Sequence, residues 1–280
     1  MGYPLFNLDA APVVHYLFGD EGPRVPGRNS GVHMKKILLA SVGTLALCAA
    51  VSTSAVADVN GDAYASYSNI TNSGGGDIWG VGGALEGMFS NHWGAQVDGA
   101  YHSESGGGSD IWSIGGSVFW ASMQGRFGAT VDYHDLGGGA NFTAYGAGAE
   151  FYAGPNFTIA AHGGGESGSG QSGGYVGGQA EWYVIPNLAL SGSVDYLDVG
   201  PGITSESIQA EWLFSNSMPL SLYGGYQHVD LNSGPGSQAD IVFVGVKLYF
   251  NGNGAATLVD RQRKGSLGYI TQSPLFIDQH

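Results

Sequence analysis

The chain has 280 residues, of which 50 are glycine, with 43% hydrophobic and 12% aromatic side chains, and that apolar content excludes a disordered chain despite the glycine. Charged residues make up only 11%, low for a water-exposed globular surface, and the formal net charge of −14 excludes a nucleic-acid binder, which needs a basic face. Mean hydropathy is close to zero, the value that alternating polar and apolar strand positions give.

Residues 1–33 lie upstream of a complete secretory signal and read as an extension from an overcalled start. From Met34 the chain carries a basic pair, Lys35 and Lys36, an apolar run from Ile37 to Val51, and the small-x-small site Ala55-Val56-Ala57. This is the pattern of a signal peptide over 34–57, cleaved near Ala57 to leave a mature chain from Asp58. A transmembrane anchor is the competing reading, but the run is short and small residues stand where a stop-transfer flank belongs. Cys48, the only cysteine, falls inside the apolar run, and Leu47 stands where a lipidation site needs a small residue. The mature chain is therefore expected to have neither disulfide nor thiol chemistry. It has no run of 18 apolar residues, so no helix is expected to span a membrane.

Beyond Asp58 the periodicity is two. In Ser109–Leu136, Trp112, Ile114, Gly116, Val118 and Trp120 alternate with Ser113, Gly115 and Ser117, with Phe119 as the exception. After the turn Ala121–Gln124, Phe127, Ala129, Val131 and Tyr133 alternate with Arg126, Gly128, Thr130, Asp132 and His134. Two such runs across a short turn predict an antiparallel hairpin, with strands of bilayer-crossing length and aromatics near both ends. Taken alone, this hairpin fits a soluble β-sandwich equally well. The unit recurs at Asp77–Tyr101, Asn141–His162, Tyr175–Tyr196 and Ser205–His228. A first strand near Asp62–Ile70 and a last at Ala239–Phe250 complete twelve.

The connections alternate as well. Five are tight, at Ser90–His92, Ser122–Gln124, Gly154–Asn156, Ile185–Asn187 and Ser215–Pro219. Those between them are predicted longer, as at Asn72–Gly76, Ser103–Ser109, Gly163–Gly174 and Asn232–Gln238. An even strand count with short turns on one side and long loops on the other predicts an all-β fold over 58–250, a transmembrane antiparallel up-and-down β-barrel of about 12 strands. Residues 251–280 are expected to be a C-terminal tail.

The last strand, Phe243-Val244-Gly245-Val246-Lys247-Leu248-Tyr249-Phe250, resembles the assembly signal of Gram-negative outer-membrane β-barrels through Gly245, the apolar pair Val246 and Leu248, and the final Phe250. It departs at Phe243, where the family usually has a polar residue, and in not ending the chain. The resemblance to the porin-like class covers about 58–250. It implies an outer-membrane location, contact with outer-membrane lipid and lipopolysaccharide, assembly by the barrel-assembly machinery, and passage of small solutes.

If one face meets lipid, the other faces inward. Glu86, Glu150, Glu181 and Glu211, with Arg126 and Lys247, are expected to form a charged belt near the periplasmic mouth. Asp98, Asp132, His162, Asp195 and Gln227 would form a second layer nearer mid-membrane. From Asp58 to Phe250 there are 18 Asp and Glu against two bases, Arg126 and Lys247. Two readings follow. Either water fills a narrow lumen whose acidic lining favours cations, or the glutamates pair with the two bases in a closed barrel. A non-conducting structural or adhesion barrel acting through its loops is the alternative function. Catalysis is not expected. His92, His102, His134, His162 and His228 are scattered, and only His228 falls outward within a strand, with no Ser matched to it. The Gly-rich runs open no helix, so no phosphate-binding loop is expected, and no cofactor or metal site is predicted.

Overall fold

A computed structural model describes residues 59–72, 76–105, 110–215, 218–232, 238–251 and 257–264. The upstream extension 1–33 and the predicted signal peptide 34–57, with its cleavage site, lie outside these residues. Twelve strands follow in order: β1 (Val59–Ile70), β2 (Gly76–Met88), β3 (Trp93–Ser105), β4 (Ile111–Ala121), β5 (Gly125–Gly137), β6 (Ala140–Tyr152), β7 (Phe157–Gly168), β8 (Gln171–Ile185), β9 (Leu188–Leu197), β10 (Ile203–Ser215), β11 (Met218–Asp230) and β12 (Gln238–Asn251). Each pairs antiparallel with its sequence neighbours. β1 closes on β12 from Asn60↔Asn251 to Ile70↔Ile241, giving a closed twelve-stranded barrel. Closure leaves no free sheet edge, the condition for backbone to cross hydrocarbon. A strand of 12 residues tilted by about 40° rises about 30 Å, enough to cross a bilayer core. We call the end holding Val59 and Asn251 the lower end.

The alternation read from the sequence sets the two faces. Val97, Val131, Val176, Val194, Ile208 and Val244 stand outward and exposed around the middle of the wall. Phe89, Trp93, Phe127, Phe151, Trp182 and Trp212 ring the lower end, and Trp79, Trp112, Tyr145, Tyr196 and Tyr226 ring the upper end. An apolar outer band between two aromatic girdles is the surface of a membrane barrel; in water, so large an exposed apolar surface would drive association. No described helix is long and apolar enough to cross a membrane, so the crossing is made by strands.

The structure corrects the connections at the upper end. Gly163–Gly174 is not a long loop: β7 runs to Gly168, β8 starts at Gln171, and only Ser169 and Gly170 turn between them. Both adopt positive φ, 47° and 79°, as a tight hairpin turn requires. β5 and β6 likewise join through Gly138 and Gly139, and β3 continues to Ser105. Glycine- and serine-rich stretches lack apolar alternation because they rise above the lipid band, yet their backbones still pair. Among the described residues, the tight connections at the lower end fall where expected, at 89–92, 122–124, 153–156 and 186–187.

The C-terminal tail contains a helix that the sequence reading did not predict, α1 (Leu258–Lys264). Thr257 caps it: its hydroxyl accepts from the Asp260 N–H at 3.2 Å and donates to the Asp260 carboxylate at 2.9 Å. This Thr-x-x-Asp arrangement was legible in the sequence as a helix start.

Candidate functional site

The inner wall has three layers. The lowest is the predicted charged belt. Glu86, Arg126, Glu150, Glu181, Glu211 and Lys247 all point inward and are buried. They do not form an even ring. Arg126 bridges Glu150 at 3.0 Å and Glu86 at 3.3 Å, while Lys247 reaches Glu211 at 3.4 Å. Glu211 also accepts from Ser221 at 2.5 Å and from the Tyr249 hydroxyl, and Glu181 accepts from Tyr183 at 2.7 Å. The Arg126 guanidinium lies 6.0 Å from the Phe119 ring centroid and Lys247 5.4 Å from that of Tyr223. Phe119, the exception to the alternation in β4, thus faces inward under the belt's main cation.

The second layer is also where the sequence placed it, and glycine arranges it. Gly115 on β4 stands between Asp98 on β3 and Asp132 on β5, and both carboxylates lean over it. Gly177 on β8 stands between His162 and Asp195, which meet across it at 3.0 Å. Asp98 accepts from Gln96 at 3.2 Å, Asp132 from Thr130 at 2.9 Å, and Gln227 donates to Ser205 at 2.8 Å. A side chain between each pair would separate them. The pattern polar–Gly–polar across three strands is invisible in linear sequence, because it depends on register.

The upper layer was missed. Leu136, Phe142, Tyr175, Leu197, Val199, Ile203, Val229, Leu231 and Ile241 point inward and pack together as one apolar cluster across the upper lumen. They lie near or just beyond the upper ends of different strands, and only closure brings them onto one another. Large inward aromatics were missed as well. Tyr64 lies over Gly82 and Tyr223 over Gly245, so these rings lie flat against the wall instead of crossing the lumen. Phe243, the departure in the assembly-signal resemblance, packs inward with Tyr64 and Tyr223. Gly245 therefore has a packing role, while Leu248 faces outward.

Ten carboxylates face the interior: Asp62, Glu86, Asp98, Glu104, Asp132, Glu150, Glu166, Glu181, Asp195 and Glu211. The wall supplies Arg126 and Lys247, and α1 adds Arg261 and Arg263 at the lower mouth. Burial draws the Arg261 guanidinium below its usual value, with Tyr249, Glu211 and Asp260 opposing the shift. Outside the wall, His228 meets Asp240 at 2.7 Å, and the Tyr226 hydroxyl donates to the same carboxylate. His228 pairs in register with Glu206 on one side and Asp240 on the other, so its strand neighbours are acids and not a nucleophile. Among the described residues no three His, Cys, Asp or Glu side chains gather to hold a metal ion.

This fold is that of the porin-like outer-membrane barrels. The structure is similar to the KdgM porin, with a TM-score of 0.52 and 11% identity over 67% of this chain and 99% of that one. It is similar to the COG4313 outer membrane channel from Pseudomonas putida F1, with a TM-score of 0.50 and 13% identity over 71% of this chain and 97% of the channel. The NanC porin matches with a TM-score of 0.51 and 9% identity over 67% of this chain and 98% of its own. No family model matches the sequence, and no curated protein matches it.

Proposed function

We propose that the chain is an outer-membrane channel for passive passage of small, preferentially cationic solutes. The observation that carries this reading is the carboxylate excess inside: ten inward acids against Arg126 and Lys247 on the wall, an excess that remains when α1 adds Arg261, Arg263 and Lys264 together with Asp260. An interior of one sign holds counter-ions, and acidic rings lower the barrier for cations. Burying so many carboxylates dry would be costly, and water between the layers removes most of that cost. Two of the similar structures are porins and a third is a channel, which supports a passage. One neighbour is described in complex with disordered oligogalacturonate, a polyanion. The acidic interior here is opposite in charge to what such a solute needs, so that cargo is not carried over. No catalytic role is proposed.

The apolar upper layer favours a second reading, a non-conducting barrel that acts through its surface. Nine packed apolar side chains across a lumen exclude water until they part. Planar-bilayer recording across a salt gradient separates the two. The channel reading expects discrete conductance with a reversal potential of cation-selective sign, reduced when Asp98→Asn, Asp132→Asn and Glu181→Gln are combined. Anion selectivity would sink the charge argument, and a silent, correctly folded barrel would favour the second reading.

A further inference from the structure

The lower mouth is crossed by α1. Its first turn is anchored by Leu258, which is buried against Tyr183, Ala189 and Leu213 and donates its backbone N–H to the Pro186 carbonyl at 2.9 Å. Its middle enters the charged belt. The Gln262 carbonyl accepts from Arg126 at 2.7 Å, and the Gln262 amide donates to Glu150 at 3.0 Å. Its last turn reaches the neighbouring β6–β7 turn, where Arg263 donates to the Gly154 carbonyl at 2.6 Å and lies 4.6 Å from the Tyr152 ring centroid. Arg261 lies 5.1 Å from the ring centroid of Tyr249 on β12. The contacts of one short helix thus run from β5 through β10 and include β12.

Three features make this a removable plug and not part of the wall. First, the strand ladder closes between β1 and β12 without it. Second, a helix of seven residues is too short to persist alone, so undocking and unfolding are one event. Third, Arg126 keeps both Glu86 and Glu150 when Gln262 leaves, so release orphans no buried charge. The charge also fits. Arg261, Arg263 and Lys264 give this segment a local excess of bases, and it lies against the acidic interior.

We propose that α1 is a built-in plug that closes the periplasmic mouth of the channel, latched through Gln262 onto the Arg126–Glu150 pair, and that conduction requires its release. This rests on the channel reading above. Two full-chain proteins in a Cys48→Ser background test it. One carries Arg261→Cys alone and the other adds Leu258→Asp, which puts a carboxylate where the apolar anchor sat. Labelling of the thiol introduced by Arg261→Cys with a membrane-impermeant maleimide reports docking, and bilayer recording reports conduction. The plug predicts slow labelling with Arg261→Cys alone. With Leu258→Asp it predicts faster labelling and an open probability raised about tenfold or more, because loss of a buried Leu anchor exceeds the ~1.4 kcal/mol that a factor of ten represents. Heat-shifted gel migration should report an intact barrel in both, since α1 contributes no strand. Fast labelling without Leu258→Asp overturns the plug. Fast labelling only with Leu258→Asp, but equal conductance in the two proteins, overturns its gating role. Silence from both, with the introduced thiol released by Leu258→Asp, overturns the channel reading and the gate with it.

Discussion

Replacing Arg126 with Leu probes the belt most directly. Arg126 is 3% exposed and holds three acceptors, the Glu150 and Glu86 carboxylates and the Gln262 carbonyl. Removing it leaves two buried carboxylates facing each other with no cation between them. Removing one partner of a buried pair costs about 3–5 kcal/mol, and an orphaned carbonyl adds about 1–3 kcal/mol. Were the belt fully solvated, the same charges would interact with only about 1 kcal/mol, as in bulk water. The loss on Arg126→Leu therefore measures how dry the belt is. We expect at least about 3 kcal/mol, and recovery of most of it when Glu86→Gln and Glu150→Gln are added, because the uncompensated charge is then gone. Urea unfolding from lipid vesicles, followed by fluorescence of the six tryptophans, reads the change as a shift in midpoint. A loss under about 1 kcal/mol, or no recovery in the triple variant, would refute the account of Arg126 as the cation that compensates the buried Glu86 and Glu150 carboxylates.

Two further outcomes follow from the wall. Val131 faces outward halfway along β5, so Val131→Arg should cost about 2–4 kcal/mol by the same unfolding measurement. Met123→Arg, in the exposed turn between β4 and β5, should change stability by less than about 0.5 kcal/mol; equal effects at both sites would contradict the lipid-facing band. A Cβ at Gly82 would lie 2.5 Å from the Tyr64 hydroxyl, so Gly82→Ala should cost about 1–3 kcal/mol through overpacking. Gly116→Ala on the outer face, where the nearest atom stands at 3.5 Å, should be close to neutral; the reverse order would mean Tyr64 does not lie against that wall.

The amino-acid sequence by itself determined which residues face lipid and which face inward. A period of two is a local property, and a single apolar environment makes it unambiguous once the hairpins repeat. The strand count, the tight lower turns, the inward belt from Glu86 to Lys247 and the layer holding Asp98 and Asp132 all follow from that parity. Register is not local, and what depended on it was decided only by closure. Gly115 between Asp98 and Asp132, and the bridge from Arg126 to Glu150 and Glu86, arise because particular residues fall opposite one another across strands. The apolar upper layer was unreadable for a related reason. Leu136 and Ile241 lie more than a hundred positions apart, and each alone is an ordinary residue near a strand end. α1 is the intermediate case. Its Thr257 cap and basic last turn stood in the sequence, but a seven-residue helix is held by what it docks on. Only the folded barrel supplies that dock, in the Tyr183–Leu213 pocket and the Arg126–Glu150 pair at the lower mouth.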